Sequence, residues 1–203
     1  YIDKKEQNIK FFNKWANCNY DWAPFQWWMT RFQKPIEEEV QKSNPKSFLD
    51  ISCGTGKLLS KLVILSPKTK YTGLDISPEM LKKAKQRLPK NVTLKQGDVH
   101  QLPFKDNSFN LVVSTESFHH YDDQKKALEE MKRITTKGGK VMVVDINFFF
   151  KIIHKLFETF EPGCVKVNNK REMISLFQNA GLKDINQKRS FLFAVMTSGT
   201  KGI

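Results

Sequence analysis

The sequence predicts an α/β domain: a seven-stranded, mostly parallel sheet with helices on both faces and an antiparallel last strand. Three observations carry this. From Lys46 onward, short β-branched or apolar runs alternate with longer amphipathic stretches. The last two apolar runs stand too close together for a parallel crossover, so they must pair as antiparallel neighbours. And 203 residues with 39% apolar side chains suit one continuous core.

Residues 1–45 form a preamble rich in Trp15, Trp22, Trp27, Trp28 and Phe32, too apolar for a free tail. It is expected to be helical and to lie over the open edge of the sheet. Strands are expected near 47–52, 70–75, 91–97, 109–114, 139–146, 183–189 and 191–197, with helices near 56–66, 77–88, 122–135, 147–160 and 170–180. Ser77-Pro78-Glu79 supplies a cap and a proline at the first helical position, and Gly181 a natural stop. The whole chain divides into a helical cap (1–45), a ligand-binding core (46–146), a cover (147–181) and a closing strand pair (182–203). In the cover, Phe148, Phe149, Ile152, Ile153, Leu156, Phe157 and Phe160 recur at helical spacing opposite Lys151, Lys155 and Glu158. Such a stripe is expected to pack on the sheet; contact with a substrate and lying on a membrane are the other uses of it.

Composition excludes several classes. Cys18, Cys53 and Cys164 form no CxxC pair and suit free thiols in a cytoplasmic protein, and no metal is expected. No uncharged apolar run reaches the length of about 18 residues that a spanning helix needs. The opening YIDKKEQ carries charge where a signal peptide needs an apolar centre. The net charge of +13 invites a nucleic-acid or anionic-surface reading. Nearly all of it is Lys, however, with Arg only at Arg31, Arg87, Arg133, Arg171 and Arg189, so a dedicated polyanion groove is not favoured.

Chemistry gathers at the ends of the first strands. Asp50-Ile51-Ser52-Cys53-Gly54-Thr55-Gly56 is a tight turn in which the backbone can approach a ligand. It is not a P-loop, since Ile51 and Leu58 occupy the Gly and Ser/Thr positions, and Leu59 spoils a dinucleotide GxGxxG. About twenty residues on, Asp75 ends the second strand, where a carboxylate can accept both ribose hydroxyls of an adenosine. Asp98 ends the third and can accept an adenine amine. A lone Asp at a strand end is often only a helix cap; three in this order point to an adenosine-bearing ligand.

The segments FLDISCGTG, YTGLDISPEML, GDVHQLPFKDNSFNLVVS, SFHHY and ITTKGGKVMVVDI resemble the class I S-adenosylmethionine-dependent methyltransferases, in particular the small-molecule group that includes the ubiquinone and menaquinone biosynthesis enzymes. The resemblance covers about Phe48 to Ile146 and, more weakly, NKREMISLFQNAG. It implies a Rossmann-like fold and S-adenosyl-L-methionine as cofactor. By resemblance Asp50 orients the glycine loop and the cofactor's amino group, and Gly54 and Gly56 leave backbone room. Asp75 holds the ribose, Ile76 and Met80 line the adenine face, Asp98 and the Val99 backbone read the adenine edge, and Ser114 offers its carbonyl to the ammonium. Tyr20, before Asp21, is similar to a Tyr-Asp pair preceding the fold. The departures are Ser52 for the family's first motif glycine, Asn110 for Asp and Lys137 for Pro; a serine there is strained if it needs positive φ.

Candidate bases follow the fourth strand: Glu116 and His119, with His120 a weaker one. His100 and His154 are expected to be surface or packing residues. The leading expectation is methyl transfer to a small, apolar acceptor. An RNA or protein methyltransferase using the lysines, and a cofactor-binding scaffold without turnover, are the alternatives.

Overall fold

In the computed structural model, which describes residues 4–17 and 23–203, a single sheet runs in the order β3-β2-β1-β4-β5-β7-β6. Its strands are β1 (Ser47–Ile51), β2 (Lys70–Asp75), β3 (Thr93–Gln96), β4 (Phe109–Thr115), β5 (Thr135–Ile146), β6 (Lys183–Phe191) and β7 (Ala194–Thr200). The first five are mutually parallel and β7 runs antiparallel between β5 and β6, as expected from the sequence. The order reverses between β1 and β4, so the carboxyl ends of β2 and β4 flank a crevice at β1.

Alternation sorts side chains to two faces. Leu49, Ile51, Val112, Val141 and Val143 pack with helices α5 (Gln124–Ile134) and α7 (Lys170–Asn179) through Leu128, Met131 and Phe177. Phe48, Leu111, Val113, Met142 and Val144 turn the other way, toward α2 (Ala23–Ser43), α3 (Lys57–Leu65) and α4 (Pro78–Arg87). A strand buried on both sides needs apolar residues at consecutive positions, which is why β4 and β5 read as continuous runs.

The preamble is helical and extends further than an edge. Helix α2 reaches the edge strand β6, where Trp27 and Phe32 pack on Phe191, and also runs across the sheet: Phe32, Ile36 and Val40, four residues apart, bury one stripe against that second face. Its consecutive Glu37, Glu38 and Glu39 reach Lys61, Lys188 and Lys140 at 3.3, 3.2 and 2.7 Å. Exposed ion pairs of this kind contribute little, so the apolar stripe holds the helix. Helix α1 (Lys4–Asn17) lies beside α4.

Two boundaries move as well. Strand β5 starts at Thr135, directly from α5, whereas helix was expected through 135. The closing hairpin turns at Leu192-Phe193 rather than near Ser190, with Leu192 at φ 26°. Helix α6 (Lys151–Phe160) begins four residues later than the apolar pattern suggested. Its stripe does not pack on the sheet: Phe157 and His154 turn inward while Phe149, Ile152, Leu156 and Phe160 face solvent.

Candidate active site

The turn after β1 is built on three left-handed residues, Ser52 at φ 59°, Gly54 at 54° and Gly56 at 77°. The Gly54 N–H donates to Asp75 Oδ2 at 2.8 Å and the Cys53 N–H to the Leu74 carbonyl at 3.0 Å, so the turn is tied to the end of β2. Gly56 precedes α3; a Cβ there would lie 2.7 Å from Leu88 Cδ1, so this glycine serves helix packing. It does not line the ligand space as the resemblance implied.

That space is a cavity of about 430 Å³ at the carboxyl ends of the parallel strands, a size suited to a small-molecule ligand. Asp50, Ser52, Gly54, Asp75, Ile76, Met80, Asp98, Val99, Glu116 and His119 all line it. Ser114 does not; it is wholly buried, and Thr115 and Glu116 reach the cavity instead. Tyr20 lies outside the described residues. Phe12, Trp15, Phe32, Phe157 and Phe193 close the cavity from the other side.

Asp75 accepts one backbone N–H on each oxygen, from Gly54 and from Ser77 at 2.9 Å. The Ile76 N–H adds to them. Burial outweighs these bonds and pushes its pKa up to about 6. Asp98 is aimed by His100, whose N–H and Nδ1 lie 2.9 and 2.7 Å from Asp98 Oδ1 while Nε2 lies 2.9 Å from Asp122. His100, read from sequence as surface or packing, is thus a positioning residue on the cavity wall.

Two other carboxyls are buried without full partners. Among the described residues, Asp50 Oδ1 and both Glu116 oxygens have no hydrogen bond. Burial, with repulsion from Asp75, raises the Asp50 pKa well above the carboxylate range; burial, with repulsion from Asp145 and Asp50, does the same to Glu116. Glu116 therefore gains basicity from burial but has no hydrogen-bonded partner among the described residues to orient it, in contrast to His119.

His119 is different. Only 2% exposed, it places Nδ1 2.6 Å from Asp145 Oδ1, and Phe157 packs edge-on against its ring. Burial alone would lower its pKa, but the Asp145 charge and hydrogen bond outweigh that and raise it. Asp145 fixes the tautomer, leaving Nε2 as the second nitrogen. His120, buried beside it, is pushed down to about 4 by burial and the neighbouring ring. One donor atom each from His119, His120 and Glu161 lies within 4.8 Å of the others, a set that could hold a divalent cation. Ligation would use the nitrogen a base needs, so the two uses compete.

Asp145, Glu161 and Tyr121 were not read from the sequence. Asp145 ends β5 and Glu161 follows α6, so neither belongs to a local motif; the Asp in VVDI was the one available signal. The Tyr121 hydroxyl lies 2.9 Å from both Ser52 Oγ and Ser114 Oγ, tying the departing serine to β4.

Comparison with known proteins agrees with this geometry. Residues 42–188 match the family described as methyltransferase domain. A demethylmenaquinone methyltransferase of Thermotoga maritima is 32% identical over 139 residues, covering 66% of this chain and 60% of that protein. That of Geobacillus stearothermophilus is 28% identical over 84% of this chain and 86% of its own length. The chain therefore spans less than two thirds of the Thermotoga relative and most of the Geobacillus one. Among solved structures, the Haloferax volcanii methyltransferase bound to the Trm112 activator superposes with a TM-score of 0.75 at 21% identity, over 95% of this chain and 98% of that one. Human N-acetylserotonin methyltransferase, in complex with S-adenosylmethionine, gives 0.74 at 18% identity over the whole of this chain and 58% of its own. Fold and cavity define a class I, Rossmann-like methyltransferase. The chain belongs to the methyltransferase family, in the S-adenosylmethionine-dependent class that its motifs resemble.

Proposed function

We propose that this chain binds S-adenosyl-L-methionine at the ends of β1, β2 and β4 and moves its methyl group to a small, largely apolar acceptor carrying an acidic proton. The observation that carries the reading is one cavity holding both an unpartnered acidic floor, Asp50 and Glu116, and a buried His119–Asp145 pair. The residues fit the cofactor: buried carboxyls without donors suit a ligand that brings an ammonium and a sulfonium.

When bound, the cofactor supplies a methyl group on positively charged sulfur, ready for in-line displacement. The chain's own work is positioning, proton removal and exclusion of water. Asp75 would accept the ribose hydroxyls, and Asp98, held by His100, would meet the adenine edge beside Val99. Ile76 and Met80 cover the adenine face. Asp50 and Glu116 would face the ammonium and sulfonium as carboxylates, any proton they carry in the empty site passing to solvent. His119, its basicity raised by Asp145, takes the acceptor proton. Phe12, Phe32, Phe157 and Phe193 give the acceptor an apolar wall, and the demethylmenaquinone methyltransferases among the relatives support an acceptor of quinol-like chemistry.

The test is incubation with methyl-labelled cofactor and a panel of quinols, phenols and RNA, following label transfer. Label on a small phenolic or quinol acceptor is expected. Label on RNA alone would overturn the acceptor class; cofactor binding with no labelled product would make the chain a scaffold.

A further inference from the structure

The outer face of α6 breaks the rule that apolar side chains go inside. Phe149, Ile152, Ile153, Leu156 and Phe160, at helical spacing, are 70, 64, 38, 50 and 76% exposed, and Phe150 is 66% exposed. Ile152, Ile153, Leu156 and Phe160 share one side of the helix, Phe149 and Phe150 extend it in the turn before Lys151, and His154 and Phe157 face inward. Lys151 and Lys155 stand exposed beside it. An apolar stripe of this size on a protein surface marks a contact surface.

A second observation says what it contacts. A groove adjoining the amino end of α6, with Phe148 and Phe149 in its wall, is lined by Lys151, Lys166, Lys170, Arg171 and Arg189 against a single carboxylate, Glu172. Five cations to one anion beside exposed Phe residues form a surface that repels a second copy of a chain with net charge +13. The same surface attracts phosphate-bearing headgroups while the stripe enters the acyl boundary.

We propose that α6 and the adjoining basic groove dock this protein on an anionic lipid bilayer, with the stripe in the interface and the groove on the headgroups. The inward face of the same segment, through Phe157 and Glu161, lines the cavity. Docking therefore sets the cavity wall against the lipid surface. The proposal does not depend on the methyl-transfer reading, because its test reads binding alone.

The 203-residue chain is sedimented with vesicles of phosphatidylcholine alone and of phosphatidylcholine mixed with phosphatidylglycerol. Binding is expected only to the mixed vesicles and should weaken as salt rises. Lys170→Glu with Arg171→Glu should lower it by more than tenfold, since each basic residue near such a surface is worth roughly fivefold. Ile152→Ser, Leu156→Ser and Phe160→Ser together should abolish it while leaving the thermal midpoint unchanged, because these side chains are exposed. In Leu156→Trp, indole emission should shift to the blue on adding mixed vesicles. Absence of binding to anionic vesicles, or binding that survives the triple substitution, would overturn the proposal. So would concentration-dependent self-association of the lipid-free protein that the triple substitution removes, which would make the stripe a contact between copies.

Discussion

The carboxyl ends of β1, β2 and β4 and the outer face of α6 make opposite exceptions to the same rule. The first region buries Asp50 Oδ1 and both Glu116 oxygens with no donor among the described residues, next to a desolvated Asp75; the second leaves Phe149, Ile152, Leu156 and Phe160 in water. Either exception costs stability in the isolated chain. Each is explained by something the chain lacks: a cation-bearing ligand in one place, an apolar layer in the other. A domain built for stability alone would do neither. The two regions meet at Phe157 and Glu161, which belong to the α6 segment and also line the cavity.

The comparison breaks most decisively at the acid–base pair. If the acidic floor only binds and His119 only reacts, His119→Asn should lower kcat by about 10²- to 10⁴-fold while cofactor affinity measured by calorimetry stays put. Asp145→Asn should lower kcat less and move the acidic limb of the pH–rate profile to lower pH, because the carboxylate that raises the His119 pKa is gone. An unshifted limb would remove His119 from the base role. Next in size is Asp75→Ala. Two hydrogen bonds to a charged acceptor, at about 1.5–3 kcal/mol each, should cost cofactor affinity at least tenfold; unchanged affinity would cancel the ribose assignment.

How much of this was legible depended on whether a feature is local in sequence. Asp50, Asp75 and Asp98 could be read because each ends a strand beside its own turn, and parallel topology then brings those ends to one edge. Asp145, Glu161 and Tyr121 reach the site only through the pairing of β5 with β4, the course of the chain after α6 and the tight turn at Phe118–His120. No spacing encodes that. The α6 stripe shows the other failure: period 3.6 says that one face is apolar but not what covers it, and the usual answer, the sheet, was wrong here. The closing hairpin was misplaced because its turn, Leu192-Phe193, contains none of the Gly, Asn or Asp that mark such turns.

Buried carboxyls also make the cofactor-free protein pH-sensitive in an unusual direction. Asp75 has an ordinary pKa of 3.8 and a folded one of about 6. Between those values the folded chain holds a proton that the unfolded chain has released, so stability falls as pH rises and the full loss is present above about pH 6. For Asp75 alone the loss is about 3 kcal/mol, and Asp50 and Glu116 act in the same sense. His120 opposes them: its folded pKa of about 4 lies below the ordinary 6.5, so taking the cofactor-free protein from pH 7 to pH 5 charges the unfolded imidazole and costs stability. Over that range, before Glu130, held below its ordinary range chiefly by Arg133, begins to titrate, Asp75→Asn should make the thermal midpoint respond less favourably to acid and His120→Gln more favourably. Cofactor affinity should weaken up to tenfold for each pH unit below about 6. A midpoint that responds to pH identically in Asp75→Asn and in the parent chain would show that this carboxyl is already paired.

The smallest effect is expected at Ser52, where the two kinds of strain meet in one residue. Its φ of 59° disfavours any side chain, and glycine would relieve about 1 kcal/mol. Its hydroxyl, however, lies 2.9 Å from the Tyr121 hydroxyl, and removing it forfeits a hydrogen bond of about 1 kcal/mol. Tyr121 keeps Ser114 as a partner, so the substitution leaves no buried polar group stranded. Ser52→Gly should then change the unfolding free energy by less than about 1 kcal/mol, and cofactor affinity by no more than a few-fold. Ser52→Ala keeps the strained φ without the bond and should be the less stable of the two. Chemical denaturation of both variants, read beside calorimetry, separates the terms. Loss of cofactor binding in Ser52→Gly alone would mean that the hydroxyl contacts the ligand directly, and the tie to Tyr121 would then be secondary.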